Sequence, residues 1–211
     1  MRRVILIAVL ALAAVAGTAL ATGGGDREHP PTLAQGAELA TAIPEDATDA
    51  AATLATVRDQ GDVIPEHLAE PLRRRAAFGA NPDLSRRTVA QTTQSAYIVA
   101  GHDHVCLVLT NTETAGWNII CPTTQDLTAG RAGPLTVGLP DGALAVAGLV
   151  PDGIDTVHVS DGTDQTIPVE NNTYYRVFPA DQTPRTLTYD GPDGPVDWDL
   201  TNPHELPPAE P

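Results

Sequence analysis

The chain has 211 residues, enough for one ordinary domain with appendages, and a formal net charge of −15. It contains no lysine, which excludes Schiff-base and lysine-nucleophile chemistry. Up to Arg87 nine arginines face eleven acids, but from Thr88 onward three face sixteen; so acidic a C-terminal part makes nucleic acid a poor partner.

Arg2-Arg3 followed by the apolar run Val4 to Ala21 is an export signal. It suits either a signal peptide cut near Ala21 or a single retained membrane helix (residues 1–22). In both cases the arginines stay inside and the rest of the chain faces out. Residues 23–44 are Gly-, Pro- and Glu-containing without periodicity and read as a flexible linker. Residues 45–80 read as a helical segment. Ala47, Ala51, Leu54 and Val57 have helical spacing over Asp46 to Gln60. Around Pro71, two short helices are expected rather than one, with proline in a first turn.

Residues 84–200 read as a β domain, and 201–211 as a disordered, proline-rich acidic tail. Ala96 to Cys121 holds three short apolar runs separated by turn residues, a β-meander. Downstream, strands are expected at Leu144 to Val150, buried on both faces, and at Ile154 to Ser160, with Val157 and Val159 inward. Pro168 suggests that Thr166 to Val169 is an edge strand. Thr173 to Phe178 should follow an Asn171-Asn172 turn, and Arg185 to Tyr189 should pair with Val196 to Leu200. Asp141, Asp152, Asp161, Asp190 and Asp193 each precede glycine, the dipeptide of tight hairpins with two positive φ angles. The expected fold is mainly β: a small antiparallel sandwich or partly open barrel, preceded by a short helical segment and the N-terminal hydrophobic helix. Aromatic residues are only 4% of the chain, so its core must be built mainly from Val, Leu, Ile and Ala.

Cys106 and Cys121, the chain's two cysteines, sit on neighbouring expected strands of an exported protein. They should form a structural disulfide. If they lie directly opposite, the register centres on Glu113-Thr114, inside a polar turn. Closing a loop of that length stabilises by about 3 kcal/mol.

The remaining chemical candidates read as scaffold. His102 and His104 resemble a metal pair, but Gly101-His102-Asp103 sits where the meander turns, which splays them. His158, Ser160 and Asp161 lack the nucleophile elbow and the base geometry of a triad. Asp190, Asp193, Asp197 and Asp199 do not follow a calcium-loop spacing, though weak calcium binding there stays open. Arg73-Arg74-Arg75 either docks on the acidic sheet or is solvated. No catalytic, metal or cofactor-binding residue is assigned, and no cofactor is expected.

Val105-Cys106-Leu107, Cys121-Pro122, Gly148 to Ile154, Val157 and Asn171-Asn172, in that order, resemble a group of exported or membrane-anchored small β-domain proteins of GC-rich bacteria. That group carries a cysteine pair and a Gly-x-x-Pro-Asp-Gly-Val turn; here Ile154 replaces the valine. The resemblance implies no activity and contributes no site. The expectation is therefore a non-catalytic extracytoplasmic module with an envelope or extracellular partner. Its membrane contact would run only through residues 4–21, if uncleaved. The alternative is a small extracytoplasmic hydrolase.

Overall fold

The computed structural model describes residues 38–75, 77–91, 93–111, 116–161 and 164–201. The apolar run Val4 to Ala21, most of the linker and the tail from 202 lie outside the described residues. Among the described residues no helix is long and apolar enough to cross a membrane.

The described chain is mainly β, in two antiparallel sheets. The first is a meander in sequence order: β1 (Ser85–Ala90), β2 (Gln94–Ala100), β3 (Val105–Asn111) and β4 (Gly116–Ile120). The second contains β5 (Leu135–Gly138), β6 (Leu144–Leu149), β7 (Thr156–Ser160), β8 (Asp164–Glu170), β9 (Thr173–Phe178), β10 (Thr186–Gly191) and β11 (Gly194–Asp199). Its strand order is β11-β10-β7-β8-β9-β6-β5, and one of the sheets curls into a half-barrel.

Side-chain alternation divides the apolar residues into three clusters. Ala96, Ile98 and Ala100 of β2 and Val105, Leu107 and Leu109 of β3 face Ala145, Ala147 and Leu149 of β6, making a core between the sheets. The opposite face of the first sheet, with Tyr97, Val99, Cys106 and Val108, is covered by α2 (Glu66–Arg75) through Leu68, Ala69 and Leu72. The second sheet forms another core with Val146, Val157, Val159, Ile167, Tyr174, Phe178, Leu187, Tyr189 and Trp198. β6 is therefore buried on both faces, as its unbroken apolar run indicates.

The helical segment differs from the sequence expectation. Helix α1 spans only Glu45–Ala50, because Ala51 is extended at φ −148° and ψ 97°. A 3₁₀ turn follows at Ala52–Ala55. Ala47, Ala50, Ala51 and Leu54 enter the inter-sheet core, but Val57 is 93% exposed. One continuous helix would bury the same face, so the break is set by tertiary contacts of the 3₁₀ turn, whose Ala52 and Thr53 N–H groups bond Asp152 and Asn172. Further on, α2 runs through Pro71 instead of dividing there. Pro71 lacks the N–H of a mid-helix bond; the burial of Leu68, Ala69 and Leu72 on one side holds the helix together across it.

Three features of the β part also depart from expectation. A further helix, α3 (Thr124–Thr128), interrupts it, with the Thr123 hydroxyl accepting the Asp126 N–H at 3.0 Å. Of the described Asp-Gly pairs, none has positive φ at aspartate; the two successive positive angles belong to Asn171 (53°) and Asn172 (61°), between β8 and β9. Finally, β8 is not an end strand. Its pairing with β9 covers only Val169 and Glu170, whereas its pairing with β7 runs from Asp164 to Pro168. Pro168 is thus exposed on a locally open flank of an interior strand, where its missing N–H costs no ladder bond.

Candidate functional site

The cysteine geometry follows from register. β3 and β4 pair Leu107 with Ile120 and Asn111 with Gly116, and the same register continues to a bridge between His104 and Thr123. Its midpoint falls between residues 113 and 114, which lie outside the described residues. The Val105 N–H donates to the Pro122 carbonyl at 3.1 Å, so the neighbouring pair 106/121 is of the closer, non-hydrogen-bonded kind. Cys106 and Cys121 are joined there by a disulfide with Cα atoms 4.0 Å apart, against the cluster under α2. A disulfide of this kind fits an oxidising, extracytoplasmic setting.

The other sequence candidates separate. The His102 Nε2 bonds the Glu38 carbonyl oxygen at 2.6 Å. His104 instead stacks on Phe78 with ring centroids 4.0 Å apart and bonds the Asp103 carboxylate through Nδ1. The two imidazoles are committed to different partners. Among the described residues, no group of three or more His, Cys, Asp or Glu is placed to hold a metal ion. Arg73 spans Glu66 at 2.8 Å and Asp83 at 3.0 Å, and Arg74 lies 3.7 Å from Glu70. Arg73 and Arg74 thus pair locally, Arg73 tying α2 to the turn before β1, and neither docks on the acidic sheet. The Asp199 carboxylate accepts both the N–H and the hydroxyl of Thr201, closing the end of β11.

His158 projects from the outer face of the second sheet into an open groove of about 430 Å³, together with Asp155, Thr156, Thr188 and Asp190. The hydroxyl beside its Nδ1 belongs to Thr166, its cross-strand partner, at 3.3 Å, and not to Ser160. Asp161 accepts a bond from the Gln165 amide at 3.2 Å. The sequence trio of His158, Ser160 and Asp161 is therefore not assembled as a triad.

The motif residues Asp152 and Asn172 come together in a polar fastening. The Asn172 amide donates to Asp152 Oδ1 at 2.7 Å and to the Val150 carbonyl at 3.2 Å. Its oxygen accepts from the hydroxyl and the N–H of Thr53, at 2.7 and 3.2 Å. Asp152 also accepts the Ala52 N–H at 3.1 Å. Together they cap the 3₁₀ turn at Ala52 from across the chain and hold the N-terminal segment on the sheet.

A second cleft, of about 330 Å³, opens where the two sheets meet. Leu109, Val137, Leu139 and Pro140 give it apolar walls, and Gln94, Asn111 and Asn118 bring carboxamides. Among the described residues, none lining it carries an ionisable side chain. Gln94 starts β2 on the same parity as Ala96 and Ile98, so it points toward the inter-sheet core, only 4% exposed. Its Oε1 is buried without a hydrogen-bond partner. Such an acceptor ordinarily has a partner in a folded protein. The sequence reading missed this residue. The available signal was a glutamine two positions before Ala96 on a core-facing alternation.

Fold and cleft together define a class: a two-sheet antiparallel β protein with a carboxamide-bearing cleft at the junction of its sheets. The chain matches no protein-family model, no curated protein and no solved structure.

Proposed function

We propose that this chain is an exported, non-catalytic module that binds an envelope or extracellular partner through the cleft at the junction of its sheets. One observation carries the reading: among the described residues, apolar walls and carboxamides line the cleft, and an acid, base or nucleophile set does not. Such a lining recognises a ligand by shape and hydrogen bonding without acid–base chemistry. The disulfide and the Arg2-Arg3 apolar leader support an extracytoplasmic site of action. On this reading residues 4–21 either anchor the chain in the membrane or are removed near Ala21.

The test compares turnover in the purified, disulfide-bonded wild type and His158→Ala. Both receive nitrophenyl esters, phosphates and glycosides, and a casein substrate. No turnover above background is expected from either. Turnover by the wild type that His158→Ala abolishes would overturn the module reading in favour of an extracytoplasmic hydrolase working in the outer groove. A reporter fused after Pro211 should be active only as an exported enzyme; activity of a cytoplasm-only reporter there would overturn the export component.

A further inference from the structure

We infer that the cleft between the sheets is a site for a short, uncharged, extended peptide, one of whose N–H groups donates to Gln94 Oε1. This inference rests on the binding-module reading and names the ligand class.

Three observations lead to it. The first is the lone acceptor. Gln94 Oε1 is buried and unpartnered, although Gln94 belongs to a regular strand whose backbone is paired with Asn111. Leaving such an atom unsatisfied is costly, and a ligand N–H removes the cost. The second is the lining. Aliphatic walls and carboxamides favour an uncharged ligand, since burying a charge without a counter-charge is expensive. Among the described residues, no aromatic side chain lines the cleft to stack on a sugar ring. The third is the backbone. β4 and β5 are the end strands of their respective sheets, they lie next to each other, and both line the cleft. End strands present backbone donors and acceptors, and an extended peptide pairs with them as an added strand. The volume of about 330 Å³ lies at the small end of ligand pockets, which suits a few residues of alanine, valine or proline size.

The experiment is an NMR titration of the full exported chain with two probes, a set of acetylated and amidated tripeptides of Ala, Val, Pro and Thr, and the N-acetylglucosamine trimer. Peptides in the set should shift the Gln94 side-chain amide and the backbone amides of Gly116 to Asn118 and of Val137 and Gly138. Gln94→Leu should weaken that binding about tenfold, the loss of one hydrogen bond to a buried acceptor. It should leave the unfolding midpoint unchanged or higher, because it removes an unpaired buried oxygen. This opposite movement of affinity and stability distinguishes a ligand contact from a scaffold residue. Asn118→Trp, at the exposed mouth, is the second variant and should block binding in a folded protein.

Absence of shifts at these residues with every peptide would overturn the inference. So would peptide binding unaffected by Gln94→Leu and Asn118→Trp. Shifts with the sugar trimer alone would overturn the peptide assignment while leaving the module reading intact. The module reading itself falls on the separate result of His158-dependent turnover.

Discussion

The two largest cores of this protein are built from different materials. The core between the sheets has alanine at 47, 50, 51, 96, 100, 132, 145 and 147, with Leu, Ile and Val between them. The core of the second sheet holds Tyr174, Phe178, Tyr189 and Trp198. The chain has only eight aromatic residues, and half of them are gathered there. The difference follows from what each core must join. Between the sheets, the alanines of α1 and β6 let α1 pack on α3 and β6 on β3. In the second core, large rings fill the interior of a single sheet. Gly148 illustrates the fit: a methyl group at that position would run into the Tyr174 hydroxyl.

The largest effect should come from emptying the aromatic core. Trp198→Ala or Phe178→Ala should cost about 3–5 kcal/mol in urea unfolding. A loss below about 1 kcal/mol would mean that the second sheet is loosely packed and that the contrast fails.

Next in size is the disulfide, which belongs to neither of these cores. Replacing Cys106 and Cys121 together by serine should cost about 3 kcal/mol. Alkylation should add two adducts to the exported protein only after reduction. Free thiols in the native protein would contradict the bonded geometry.

The alanine core is broken by addition. Ala147→Leu should cost about 1–3 kcal/mol, since close-packed backbones leave no space for three further carbons. An unchanged unfolding midpoint would reveal unused space between the sheets.

Alkali tests the aromatic core more gently. Burial pushes the Tyr189 phenol up from 10.0 to about 12, and burial together with nearby Tyr189 pushes the Tyr174 phenol well above its ordinary value. The unfolded phenols ionise near 10 while the folded ones stay neutral. Their contribution to stability is therefore complete below about pH 10 and is lost as pH rises toward the folded values. Tyr174→Phe also removes a buried hydroxyl without a partner, so it should be neutral or stabilising at pH 7 and should move alkaline unfolding to higher pH. An unmoved alkaline midpoint would assign base unfolding to other groups.

The smallest signal concerns the helical segment alone. A peptide of residues 46–79 should show little helix by circular dichroism, because six-residue α1 and α2 with Pro71 inside are held by the sheets. Strong helicity would mark the segment as self-sufficient.

Legibility in the sequence followed locality. The meander could be read because its strands are sequential and because the cysteines and the polar turn demand the same register. The alternation of Val157 and Val159, and the pairing of the last hairpin, carried through for the same reason. The helical segment was misread because its alanines fit a 3.6-residue period whether or not Ala51 stays helical; the break is imposed by sheets contributed later in the chain. Helix α3 had a signal in Thr123-x-x-Asp126, hidden by the run of strand-like segments around it. β5 is four residues long and was not singled out. The cleft was beyond reach for a related reason. Gln94 and Val137 to Pro140, more than forty positions apart in sequence, line one cleft only in the folded chain.

The double burial of β6 also bears on the order of folding. The first sheet is a meander whose neighbours are adjacent in sequence, so its loops are short and cheap to close. In the second sheet β6 pairs with β9 and β7 with β10, across intervening strands, and such distant contacts form slowly. Each of the two cores needs a different face of β6, so neither can be completed before that strand is seated. A refolding chain should thus acquire its first sheet early and then wait on one rate-limiting strand that closes both interiors together.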